Sequence, residues 1–238
     1  MLHKAVKEFM IFAYYTARPS LINPISWGRW LWDYYGEYMI KARAKDLFDL
    51  IRTTTGKSSS TGCGYGDYWS LYSAVRAEKP KYIVECGSGI STVVIAYAIR
   101  ENRNGAKFIS LEQAEFYYKN IVDIFPAELN GFVEIVLSES YEIPVEGVLG
   151  CRYRFEPNEP VDFLYIDGPS LRKQFDNKKL DKAFNADVLF VPKSERFMAI
   201  LDQRIGTMWK LRSFMPDYEF KYNPIKRQTF IKKRISQI

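Results

Sequence analysis

The spacing of apolar positions changes near residue 60, and the two patterns predict two kinds of architecture. Before that point, Trp27, Trp30, Leu31, Tyr34, Tyr35, Tyr38 and Met39 recur at the i, i+3, i+4, i+7, i+8 spacing of one helix face. Pro19 and Pro24 interrupt the chain before that face begins. A second helical stretch, Ile40 to Ile51, carries Leu47, Phe48, Leu50 and Ile51. Such a face is first expected to pack against the rest of the protein or a dimer mate. The sharper expectation is docking on a membrane surface, helped by Lys4, Lys7, Arg18, Arg29, Lys41, Arg43 and Lys45.

Residues 56–66 are rich in Gly and Ser and read as a loop. Gly56-Lys57-Ser58 resembles the end of a phosphate-binding P-loop, but that motif needs a glycine where Ile51 stands and a strand leading in. A nucleoside triphosphatase is excluded on both counts. From Asp67 onward short apolar runs alternate with helical segments. Asp67 caps a helix to Glu78, and Lys81–Cys86 reads as a buried strand. A helix over 90–101, a strand over 107–111, a helix over 113–125 and a strand over 132–137 follow. Residues 138–160 read as a long connection. Val161–Ile166 is a fourth strand, followed by a basic helical stretch to about Phe184. Asp187–Val191 is the expected fifth strand, with a helix after it to about Ile205. The β-like runs 208–214 and 229–233 close the chain as an antiparallel hairpin. The expected fold class is therefore α/β: a doubly wound, mostly parallel seven-stranded sheet with an antiparallel C-terminal hairpin. Residues 1–60 form a helical, aromatic-rich extension and 61–238 the α/β domain.

Composition narrows the chemistry. Aromatic residues make up 16% of the 238, which argues for a folded chain. His3 is the single histidine, so zinc sites built on several histidines and histidine-based nucleophile systems are excluded. Cys63, Cys86 and Cys151 form no CxxC pair, which fits a reducing cytosol. The apolar run Phe9–Tyr15 is too short to span a bilayer, and no signal peptide is read.

The central feature is Glu85-Cys86-Gly87-Ser88-Gly89-Ile90-Ser91-Thr92, at the end of the first strand of the alternation and the start of a helix. Glycines there admit a ligand close to the backbone, and a helix N-terminus offers free N–H groups. Thr92 stands where a dinucleotide fingerprint needs a third glycine, which with Glu85 disfavours a dinucleotide-dependent oxidoreductase. A carboxylate at Glu85 suits a ligand carrying a positive sulfonium or ammonium rather than a pyrophosphate.

This segment resembles the first motif of the class I S-adenosylmethionine-dependent methyltransferases, an acidic residue followed by x-Gly-x-Gly, and Ser91-Thr92 is similar to the small-molecule O-methyltransferase branch. The resemblance covers roughly residues 65–233. It implies a ribose-binding carboxylate at Glu112, with Gln113 beside it, and adenine contacts at Ser138 and Glu139. It also matches the family's fourth strand to Asp162-Phe-Leu-Tyr-Ile-Asp167-Gly168. S-adenosylmethionine is the cofactor implied, held by Glu85, Gly87, Ser88, Gly89, Ser91, Thr92, Glu112, Gln113, Ser138, Glu139 and Asp167.

Metal-dependent members of the family carry an Asp-Asn pair after the fifth strand, where this chain has Phe190-Val-Pro-Lys-Ser194. Only Asp167 remains of that constellation, so no catalytic metal is expected. Asp167, Lys193 and Tyr141 are the candidate bases, Asp167 and Lys193 the leading pair. The expected reaction is in-line methyl transfer to an oxygen of a small molecule or sugar, with positioning as the main contribution. Basic residues at 172–182 and 226–234 suit an anionic acceptor. The family's amino-methylating motif is absent, which disfavours nucleic acid as substrate. The competing expectation is an inactive methyltransferase-like module that docks a membrane or protein partner through the aromatic N-terminus.

Overall fold

The computed structural model describes residues 24–59, 63–171 and 184–234. His3, the run 9–15 and the basic residues Arg172, Lys173, Lys178, Lys179 and Lys182 lie outside the described residues, as does the helical stretch expected after the fourth strand.

Helix α1 (Pro24–Arg43) opens on Pro24, where the missing N–H costs nothing. Ala44, whose backbone is non-helical (φ −149°, ψ 62°), separates it from α2 (Lys45–Thr55). Helix α3 (Tyr65–Glu78) ends at Lys79 in the left-handed region, φ 45°, and Pro80 follows, which cannot continue the helix. The alternation then runs β1 (Tyr82–Cys86), α4 (Ile90–Asn102), β2 (Lys107–Glu112), α5 (Glu115–Ile124), a 3₁₀ turn (Ala127–Phe132) and β3 (Glu134–Leu137). Strands β4 (Ser140–Val145) and β5 (Val148–Tyr153) follow, then β6 (Val161–Ile166), the two-residue β7 (Phe184–Asn185) and the one-turn α6 (Asp187–Phe190). Strand β8 (Lys193–Asp202), helix α7 (Ile205–Phe214), β9 (Tyr218–Asn223) and β10 (Gln228–Lys233) complete the chain.

Seven strands form one sheet in the order β3-β2-β1-β6-β8-β10-β9. The first five are mutually parallel, and β10 runs antiparallel to both β8 and β9. Alternate strand residues feed two apolar clusters, one per face, as a pleat of period two requires. Ile83, Phe163, Tyr165, Met198 and Ile200 pack under α2, α3 and α4, while Val84, Cys86, Leu164, Ala199 and Leu201 face α6 and α7.

Three expectations are corrected. Residues 138–160 are not a bare connection: β4 and β5 make a hairpin that pairs with β7 in a second, three-stranded sheet. The fifth parallel strand is Lys193–Asp202, not 187–191, which is mostly one helical turn. Residues 208–214 are helical, so the antiparallel hairpin is built from β9 and β10.

The aromatic stripe also lies elsewhere than a core. Trp30, Leu31, Tyr34 and Tyr38 are all more than half exposed. The face of α1 that packs is Gly28, Trp32, Gly36 and Ile40, at four-residue spacing. Gly36 lies against the backbone of Gly66, and a Cβ on either glycine would overlap the facing helix. Arg29 pairs with both carboxylate oxygens of buried Asp67 and donates to the Lys226 carbonyl at 3.0 Å.

Candidate active site

The carboxyl ends of parallel strands are where open α/β sheets gather ligand-binding groups. Strands β1, β2, β6 and β8 end here on Cys86, Glu112, Ile166 and Asp202. Gly87 follows β1 with φ +99°, a conformation glycine tolerates, and its missing side chain leaves room for the backbone of Gly168. The amides of Asp167 and Gly168 both donate to the Cys86 carbonyl, so the turns after β1 and β6 are stitched together.

Glu85 is fully buried. Its Oε2 accepts hydrogen bonds from Thr92 Oγ1 and Ser110 Oγ, each 2.6 Å. Burial pushes its carboxyl up to about 7, against the pull of the Ser110, Ser91 and Thr92 hydroxyls. Thr92 Oγ1 also accepts from the Gly89 amide at 2.9 Å. Glu85 therefore braces the glycine loop from beneath rather than lining its surface. Ser91 and Thr92 are buried in the first turn of α4.

Glu112 has two distinct oxygens. Its Oε1 accepts from the Gln113 and Ala114 amides, each 2.9 Å. Its Oε2 has Ser88 Oγ at 3.5 Å. Burial raises its carboxyl, and the hydrogen bonds from Ala114, Gln113 and Ser88 oppose that. Gln113 Oε1 accepts from Ser140 Oγ at 2.6 Å, which ties the β4–β5 hairpin to this edge. Ser138 is buried and donates its amide to the Glu112 carbonyl at 2.8 Å, while the Glu139 side chain is 83% exposed, 3.9 Å from Arg154.

Asp167 follows β6 with 44% of its side chain open to solvent and with protein packed around the rest of it. That surrounding raises its carboxyl against the charge of Arg204, with Asp67 adding to the rise. Arg204 Nη2 lies 3.5 Å from Asp167 Oδ1, and its Nη1 donates to Asn185 Oδ1 at 3.1 Å. Asn185 Nδ2 in turn donates to the carbonyls of Gly168 and Pro169, 2.9 Å each. Arg204 and Asn185 thus hold the Asp167 turn. Sequence reading missed both, because each lies far along the chain in an element read wrongly.

Lys193 is displaced from this edge. It opens β8 and pairs with Val161, the first residue of β6, about six residues and ~20 Å of strand from Asp167. Its Nζ donates to the Val191 carbonyl at 3.1 Å. The reason is the shifted fifth strand, which turns its start, not its end, toward Lys193. Tyr141 lies in β4, with the guanidinium of Arg154 5.5 Å over its ring.

The same shift places a new carboxylate at the carboxyl edge of the sheet. Strand β8 ends on Asp202 and Gln203 follows it, so the residues after the fifth strand are Asp202-Gln203 and not Phe190–Ser194. Asp202 is 1% exposed, with Cys63 Sγ 3.4 Å and Gln228 Nε2 3.3 Å from its oxygens. Burial, Asp167 and Asp67 push its carboxyl up to about 7. Ligand atoms of Cys63, Asp67 and Asp202 all lie within 4.8 Å of one another.

Residues 84–180 match the sequence model of a methyltransferase domain. No curated protein matches the chain. Among solved structures, SAH-bound methyltransferase PaMTH1 of Podospora anserina superposes with a TM-score of 0.52 at 15% identity, over 79% of this chain and 88% of that one. A putative caffeoyl-CoA O-methyltransferase from Staphylococcus aureus gives 0.52 at 12%, over 85% and 99%. A putative O-methyltransferase from Klebsiella pneumoniae gives 0.51 at 14%, over 87% and 99%. At these identities the likeness is one of fold.

Proposed function

The chain carries a methyltransferase domain on a class I Rossmann-like fold, and from that premise we propose that it transfers the methyl group of S-adenosylmethionine to an oxygen of a small-molecule acceptor. The observation that carries this reading is the meeting of Gly87, Glu112 and Asp167 on one sheet edge. Gly87 leaves its Cβ space open at the N-terminus of α4. Glu112 spends Oε1 on its own backbone, which leaves Oε2, with only a long 3.5 Å contact from Ser88 Oγ, to accept from ligand hydroxyls. The cofactor, when bound, supplies an electrophilic methyl on a sulfonium. The chain's own contribution is to fix that methyl against the acceptor, and Asp167, oriented by Arg204, accepts the acceptor's proton.

Titration of the protein with S-adenosylhomocysteine tests the cofactor half directly. Saturable binding is expected, weakened about tenfold by Glu112→Ala, as loss of a hydrogen bond to a charged group predicts. Absence of heat at millimolar ligand overturns the reading.

A second reading concerns a cation, and the end of β8 favours it. Among the described residues Asp67 pairs with Arg29 and feels Lys226, Asp167 pairs with Arg204, and the oxygens of Asp167, Asp202 and Gln203 are the hard donors a divalent ion takes. Held there, such an ion would lower the pKa of the acceptor hydroxyl. Chelation should then abolish transfer and Mg²⁺ restore it; transfer indifferent to chelator leaves Asp167 as the base alone.

A further inference from the structure

Helix α1 is about 30 Å long and shows water an unusual surface. Seven of the thirteen large hydrophobic residues exposed among the described residues lie on this one helix. Trp27, Trp30, Leu31, Tyr34 and Tyr38 form a continuous stripe, with Trp27 set edge-on to Trp30 and Trp30 stacked on Tyr34 at 6.1 Å. Exposed apolar residues scattered singly need no explanation, but a contiguous strip marks a contact surface. The buried face of α1 is already satisfied by Gly36 on Gly66 and Arg29 on Asp67, so exposed Trp30, Leu31, Tyr34 and Tyr38 are not needed to seat the helix.

We propose that this stripe docks the protein flat on a membrane surface containing anionic lipid. Three observations choose lipid over another occupant. The side chains are mostly Trp and Tyr, whose rings carry a polar edge and settle at the headgroup level. Lys41 is paired with Glu37 at 2.6 Å, but Arg43 and Lys45 stay exposed at the end of the helix and the whole chain carries +6, which attracts anionic headgroups and repels a second copy of itself. The chain enters α1 from a segment whose sequence holds the uninterrupted apolar run Phe9–Tyr15 between Lys7 and Arg18, a further pairing of apolar and basic residues. No described helix is long and apolar enough to cross a membrane, so the contact is one of lying on the surface.

The test uses the full chain and vesicles of phosphatidylcholine, alone or mixed with phosphatidylglycerol. Co-sedimentation with the mixed vesicles is expected, together with a blue shift of tryptophan emission and loss of binding at high salt. Trp30→Ser with Tyr34→Ser should cut the bound fraction at least about tenfold while leaving the melting temperature unchanged, because both side chains already face water. The proposal is overturned if neither vesicle binds the protein, or if the double substitution leaves binding intact. It is equally overturned if light scattering finds a dimer that the double substitution converts to monomer, because a second copy then covers the stripe. None of these readouts depends on methyl transfer, so failure here and failure of the cofactor titration are separate results.

Discussion

Asp202 holds its proton at a pH where an ordinary aspartate has lost it, and that affinity is written into the stability of the fold. Its carboxyl moves from 3.8 to about 7 on burial beside Asp167 and Asp67, and Glu85 and Asp187 also rise to about 7 through burial. Between the ordinary and the raised values the folded chain binds more protons than the unfolded one. The contribution of these groups is therefore full below about pH 4 and is lost as pH climbs toward about 7. The melting temperature should fall between about pH 5 and about pH 8, and Asp202→Asn should flatten that fall; an unchanged slope in the variant refutes the assignment. At this scale the sequence was legible where chemistry is local. Glu85, Gly87, Gly89, Glu112 and Asp167 stand at strand ends set by short spacings. Asp202, Arg204 and Asn185 join them only through the folded sheet, so no short spacing reveals them.

Elements were legible in proportion to how clearly their burial is patterned. Strands β1, β2 and β6 are short apolar runs bounded by turns and lie within a residue or so of where the pattern sets them. Strand β8 misled because its run Phe197–Leu201 is buried on both faces, and a continuous apolar run has no period to separate strand from helix. Helix α1 misled for a different reason. Its packing face is built on Gly28 and Gly36, which leave little hydropathy signal, while its loud aromatic face points to water. Gly36→Leu should therefore cost about 1–3 kcal/mol in urea unfolding, since the side chain overlaps the backbone of Gly66. Tyr34→Ala should stay within about 0.5 kcal/mol. Equal effects from the two substitutions reverse this assignment of faces.

Across the whole molecule, the N-terminal helices and the α/β domain share a charge balance as well as a surface. Arg29 on α1 reaches Asp67 at the start of α3, and Asp67 in turn adds to the rise that burial imposes on the carboxyls of Asp167 and Asp202 at the sheet edge. Removing the cation leaves a buried carboxylate without its partner. Arg29→Met should destabilise the protein by about 3–5 kcal/mol, measurable by chemical denaturation. A loss below about 1 kcal/mol would show that water replaces the guanidinium freely.

The pair of Arg29 with Asp67 also decides where the chain can be cut. A fragment beginning at residue 61 keeps every group of the cofactor edge, yet it gives up the counterion of Asp67 and uncovers the flat seat at Gly66. Proteolysis or redesign that treats the helical segment as a removable tag should yield a less stable protein, with a melting temperature below that of the full chain. Activity missing from such a fragment would then report lost folding rather than lost chemistry.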